Sequence, residues 1–182
     1  MKKLKLTDKI KTERLIIEIP NREDTKEIYN LIDDDITKFM SWNKDYKWVE
    51  NHVKWLINDA KEWKSWEAII RCKEHNKILW KFWIYKYQED ILSIELWYWI
   101  WKKYWWKWYI PECIEVIKKK VFLEMWYERI VIIATKENIN SRKVAEKCWF
   151  KLDWILRWNT NIKWKIIDRV FYTFIKDDYK VN

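Results

Sequence analysis

At 182 residues the chain is long enough for one well-buried core and too short for two ordinary domains. With 49% hydrophobic and 36% charged residues it has a globular balance, which excludes a disordered chain, and no apolar run approaches the roughly 18 residues of a membrane span. A net charge of +9 suits an anionic partner, but the bases are dispersed among 28 acids, so DNA binding is not indicated.

The start, Met1 to Leu6, is basic, with no apolar h-region or cleavage site after it, so a cytoplasmic protein is expected. Leu15 to Pro20 reads as a first strand. Asp24 then stands as an N-cap for a helix carrying Ile28, Leu31 and Ile32 and running toward Ile36. A helix over about 47–61 places Val49, Val53, Leu56, Ile57 and Ala60 on one face. Three strands follow, at 66–71, 78–87 and 91–101, with short turns that fit an antiparallel meander. After Trp108 the period becomes helical, through Ile110, Cys113, Ile114, Ile117, Val121 and Met125, with Pro111 where it costs no needed N–H. Arg129 to Thr135 is a buried strand, 141–147 a short helix, and 150–158 and 164–175 two closing strands. One α/β domain is expected, with its core over 11–179.

Cys72, Cys113 and Cys148 are scattered, with no CxxC and no histidine cluster, which argues against a disulfide framework and against a metal site. His52, in a helix, and His75, in a turn, read as structural or surface residues.

Glycine is absent, where ordinary usage predicts about 13, and tryptophan appears 18 times. Trp42, Trp48, Trp55, Trp66, Trp99 and Trp105 sit in patterns that use a large ring. The other twelve (Trp63, Trp80, Trp83, Trp97, Trp101, Trp106, Trp108, Trp126, Trp149, Trp154, Trp158 and Trp164) stand where turn or helix-end chemistry asks for glycine. The codon UGA specifies tryptophan in some genetic codes and glycine in others, so translation with the wrong table produces this pattern. A chain rich in tryptophan in its own right is the alternative.

The sharpest constellation runs from Glu95 to Tyr109, strand to loop to helix. With glycine at 106 and 108 it becomes a Gly-x-Gly turn opening a helix, whose free N–H groups and dipole stabilise a phosphate. Lys103-Tyr104-Trp105-Trp106-Lys107-Trp108 then resembles the pyrophosphate loop of the GNAT acetyltransferase superfamily, and in particular its ribosomal-protein N-terminal acetyltransferase branch. Thr12 to Leu15, Asn138 to Ser141, Lys147 to Phe150 and Asp168 to Tyr172 resemble further motifs of that family, in the same order.

The resemblance implies a single-domain α/β fold of the α+β kind, with a mostly antiparallel, splayed sheet flanked by helices. It implies acetyl-CoA as co-substrate, bound by the backbone of Trp99, Ile100 and Trp101, by the loop Lys103, Tyr104, Trp106, Lys107, Trp108 and Tyr109, and by Asn138. The amine acceptor is a protein N-terminus, ribosomal proteins included, or a small amine, and it attacks the thioester directly without a metal. Glu95 is the candidate base, acting through water, or else a solvated or salt-bridged strand glutamate. Ser141 is the candidate donor to the leaving sulfur, or else a helix N-cap. Relatives with a tyrosine acid or a fifth-strand glutamate are matched here by Ala145 and Ile133. Indoles at 106 and 108 fill space that the pyrophosphate needs, a loss of ~100-fold or more in binding at ~1.4 kcal/mol per decade. Two other readings stay open: a basic, aromatic-rich RNA-binding or ribosome-associated module, and a binding module of this fold without activity.

Overall fold

The computed structural model describes residues 9–32, 44–62, 65–162 and 165–181. The chain groups into two compact units, one of residues 5–83 and 99–106 and the other of residues 1–4, 84–98 and 107–182. Ile36, Trp42, Trp63, Trp164 and the Asp33–Asp35 run lie outside the described residues.

In the first unit β1 (Ile10–Lys11), β2 (Leu15–Glu18), β3 (Ser65–Cys72) and the start of β4 (Ile78–Gln88) lie in that order. β2 pairs antiparallel with both β1 and β3, Leu15 opposite Cys72 and Glu18 opposite Ile69. Helices α1 (Thr25–Leu31) and α2 (Tyr46–Glu62) bury Ile28, Leu31, Val49 and Val53 against Ile69, Ile78 and Trp80, as the helical spacing predicts. Asp24 stands at the N-cap position of α1, as expected, but its side chain makes no cap bond to the helix. Asn21 caps a 3-10 turn, Arg22–Asp24, that leads into α1, and the Asp24 carboxylate returns to the Asn21 N–H at 2.9 Å. A reciprocal pair of this kind satisfies two orphan donors, which one cap at Asp24 would not.

Two buried charge clusters tie this unit together. Arg71 donates from Nε to Glu18 and from Nη2 to Asp24, both at 2.7 Å. Lys81 pairs with Glu67 at 2.5 Å and lies 3.0 Å from Nε2 of His52. The His52 ring is stacked on Trp48 and Trp55, and burial, with the Lys81 charge, pushes its pKa down to about 3. His52 is thus a neutral packing residue, as read from the sequence. His75 accepts from the Lys77 N–H in its turn.

In the second unit the strand order is β4, β5 (Ser93–Ile100), β6 (Arg129–Thr135), β8 (Lys165–Ile175), β7 (Lys151–Ile162). β5 and β6 are parallel, while β6–β8 and β7–β8 are antiparallel. Helix α3 (Tyr109–Lys119) continues into a wider π turn, Lys120–Glu124, and buries the whole expected stripe from Ile110 to Met125. Helices α4 (Ile139–Lys147) and α5 (Lys176–Val181) complete it. Cys72, Cys113 and Cys148 are buried, unbridged thiols, and burial pushes Cys148 up to about 12. Among the described residues no helix is long and apolar enough to cross a membrane.

The backbone marks the glycine positions. Positive φ occurs at Trp80 (153°), Trp108 (57°), Trp126 (61°), Trp149 (63°) and Trp158 (53°), besides Asn76 and Leu92. All five tryptophans are among the twelve assigned to glycine; none is among the six assigned to a large ring. Trp149 shows why. α4 closes with the Trp149 N–H on the Glu146 carbonyl and the Phe150 N–H on the Ala145 carbonyl, both at 3.0 Å, the Schellman arrangement in which glycine follows the cap. Trp158 sits where the β7–β8 register shifts between Leu156 and Thr160, a place for a glycine bulge, and a second shift lies between Leu152 and Trp154. Trp106, Trp149 and Trp158 turn their rings outward, at 84%, 71% and 77% exposed, whereas the Trp80 ring is packed in the core at 2%.

Candidate active site

The second unit holds a break in its sheet. The parallel register runs Ser93↔Arg129, Ile94↔Ile130 and Glu95↔Val131, yet β5 continues to Ile100 and β6 to Thr135. Beyond Glu95 and Val131 no register joins the two strands among the described residues. Side chains alternate along a strand, so Glu95 and Tyr98, three apart, project to opposite faces of β5.

On one face is Glu95. Its Oε1 is buried and has no hydrogen-bond partner among the described residues. Burial pushes its carboxyl up to about 7, against the opposing pull of the Trp97 hydrogen bond and the Arg169 charge. The Arg169 guanidinium lies 5.8 Å from the centre of the Trp97 ring, and its Nε is buried and unpaired as well. A carboxyl that titrates near neutrality can take a proton and release it.

On the other face is Tyr98, whose hydroxyl lies 3.1 Å from Ser141 Oγ and 3.2 Å from the Ser141 carbonyl oxygen. α4 begins two residues earlier than expected, and its N-cap is Asn138, which accepts from the Ser141 N–H at 3.1 Å. The reading of Ser141 as the cap is thereby corrected. An amide side chain already fills that role, and the serine hydroxyl is turned to Tyr98 instead. Arg142 donates to the Tyr172 hydroxyl at 3.2 Å, and Tyr172 donates to Glu146 at 2.7 Å, so α4 is also pinned to β8. Ala145 is fully buried and carries no acid.

The remaining site residues of the sequence reading divide between the units. Trp99, Ile100, Trp101, Lys103, Tyr104 and Trp106 belong to the first. There Trp101 donates from its indole to the Leu31 carbonyl at 3.0 Å, the Lys103 ammonium stands 4.1 Å over the Trp101 ring, and residues 102–107 form a 3-10 turn. Lys107, Trp108, Tyr109 and Asn138 belong to the second, with Glu95 and Ser141. Trp108 is the left-handed residue that opens α3, without a side-chain cap, and the Lys147 ammonium lies 4.1 Å over its ring. The backbone at 108 has the shape a glycine gives, whereas the exposed indoles of Trp106 and Trp108 do not suit a phosphate cradle. Tyr98 and Arg169 were not singled out from the sequence, and Trp97 only as a glycine position. The alternation of β5 puts Tyr98 on the face of α4 and Trp97 beside Glu95, but carries no signal for Arg169 on β8.

The model of the acetyltransferase (GNAT) domain matches residues 14–151. Among solved structures, a GNAT-family acetyltransferase from Bacillus anthracis is similar at a TM-score of 0.82 and 22% identity, covering 93% of this chain and 99% of its own. The microcin C7 self-immunity acetyltransferase MccE, in complex with acetyl-CoA and AMP, gives 0.81 and 18%, over 90% and 93%. The ribosomal L7/L12 alpha-N-protein acetyltransferase RimL, in complex with coenzyme A, gives 0.80 and 14%, over 94% and 99%. No curated protein matches the chain by sequence. The likeness to these structures is one of fold, and with the domain match over most of the chain it identifies this protein as a member of the GNAT acetyltransferase family.

Proposed function

We propose that the chain transfers the acetyl group of acetyl-CoA to a primary amine, with a protein N-terminus as the acceptor class, and that residues 11–179 work as one cytoplasmic transferase domain. The observation that carries the reading is the early end of the β5–β6 register, with a carboxyl of near-neutral pKa on one face of β5 and a serine–tyrosine hydroxyl pair on the other. Glu95 takes the ammonium proton through water, and the neutral amine forms the new N–C bond. The C–S bond breaks with its electrons on sulfur, to which the Ser141 hydroxyl donates. The backbone of Trp99 to Trp101, residues 103–109 and Asn138 are proposed to hold the co-substrate. The acceptor class draws support from the RimL neighbour, named for acetylating a ribosomal protein at its α-amino group.

Calorimetric titration of acetyl-CoA tests this on two forms, the chain in the sequence above and one with glycine at the twelve positions. Binding by the glycine form alone supports the transferase and assigns the tryptophans to mistranslation. A folded glycine form that fails to bind overturns the transferase reading. Copurifying RNA without acetyl-CoA affinity would instead favour a nucleic-acid module built on the exposed indoles.

A further inference from the structure

We propose that Tyr98 is a positioning residue for Ser141, setting the rotamer and proton direction of the serine hydroxyl toward the leaving sulfur. The inference rests on the acetyl-transfer reading above and adds to it a residue that acts only through another. A phenol has one proton and here faces two oxygens at nearly equal distance, the Ser141 carbonyl at 3.2 Å and Ser141 Oγ at 3.1 Å. The carbonyl can only accept. When Tyr98 donates to the carbonyl, its oxygen accepts from Oγ, and the serine proton is parked away from sulfur. When Tyr98 donates to Oγ, the serine proton is released for another acceptor. Passage between these states is a rotation of one O–H bond.

The backbone of Ser141 is fixed, which leaves its side-chain rotamer and O–H direction for Tyr98 to set. The serine N–H is held by the Asn138 cap at 3.1 Å, and the next residue anchors α4 to Tyr172. Burial also raises the Tyr98 pKa well above the ordinary phenol range, so the group stays a neutral donor across the working pH. In the reaction the sulfur leaves with the C–S electron pair and takes its proton through Ser141, which is reprotonated through water by the proton that the acylated nitrogen gives up. Tyr98 donates to the oxygen that loses hydrogen and gives up no proton of its own.

The test uses coenzyme A labelled with 13C next to sulfur, bound to the full-length form with glycine at the twelve positions, so that the carbon shift reports the thiol pKa without any acceptor. A donor to a thiolate lowers that pKa. Ser141→Ala should raise it by about one unit, tenfold in acid constant, and Tyr98→Phe by roughly half as much. In the Ser141→Ala background, Tyr98→Phe should add nothing. Replacing Tyr98 with 3-fluorotyrosine, a stronger donor of the same shape, should move the pKa down and so reports even where the phenylalanine variant fails to fold.

A wild-type pKa in Tyr98→Phe, or an equal shift with and without Ser141, overturns the positioning role while leaving the transferase reading intact. A wild-type pKa in Ser141→Ala removes Ser141 as donor and the inference with it. Failure of coenzyme A to bind the folded form with glycine at the twelve positions overturns both.

Discussion

The Lys147 ammonium stands 4.1 Å over the ring of Trp108, a residue whose φ of 57° belongs to glycine. The cation–π contact returns about 0.5–1 kcal/mol at an exposed site, whereas a side chain in the left-handed region costs roughly 1–2 kcal/mol. The backbone term is the larger.

Trp108→Gly, Trp126→Gly, Trp149→Gly and Trp158→Gly are therefore expected to leave stability unchanged or raise it by up to about 1 kcal/mol each. Trp66→Gly, which empties a fully buried site, should cost more than about 3 kcal/mol. Urea melts of the single variants decide it. A uniform loss across all five would mean that the tryptophans at positive φ are native.

Peptide mass spectrometry of the protein from its source organism gives a direct answer. Glycine is expected at 80, 108, 126, 149 and 158, and tryptophan at 48 and 66. Tryptophan at 108 and 149 would end the mistranslation account.

Glu95 must be ionised to accept a proton, so kcat/KM should rise with pH through about 7. Arg169→Gln removes the charge that opposes the effect of burial, and should move the rising limb to higher pH. Stability runs the other way. Because the folded pKa is raised, the contribution of the neutral carboxyl is complete below about 4.5 and fades as pH climbs to 7. In Glu95→Gln both slopes should flatten. A pH–rate profile unchanged in that variant would remove Glu95 as the base.

Arg71→Met should destabilise the chain by about 3–5 kcal/mol, since Asp24 would stay buried without its cation and Glu18 would keep only Lys9. Burial works to raise the Glu18 pKa, but Lys9 and Arg71 overcome it and hold the carboxyl below its usual value of 4.5. The stability it contributes is present above 4.5 and lost as pH falls through the lower folded value, and Arg71→Met should show less of that acid loss. Thermal melts over pH 3 to 7 would reveal it; parallel curves for the two proteins would speak against the cluster.

Much of the fold was legible because periodicity survives the tryptophans. The stripe from Ile110 to Met125 and the strand Arg129 to Thr135 lie where their spacing puts them. Element ends were less legible. Ser141 has the chemistry of a cap, but Asn138, three residues earlier, has it too, and only geometry chooses between them. β7 ran past its expected end because Trp158 reads as a stop when it marks a bulge inside the strand. Glu95 was visible as a lone carboxylate in an apolar strand. Its partner across the face, Arg169, was not, because β8 is more than 70 residues away in sequence and alternation alone does not say which strands become neighbours.

The early end of the β5–β6 register leaves, inside the sheet, the kind of bare backbone row that sheets ordinarily show only at their margins. At a margin such a row invites another polypeptide to add itself and begin aggregation. Here each bare row has the other strand of the pair alongside it, diverging but fixed at the Glu95–Val131 end. A stretch of ladder opened in this way lies under a protection that a marginal strand lacks, and the β6 amides beyond Val131 that face β5 should exchange with deuterated water faster than the paired ones at Ile94 and Ile130.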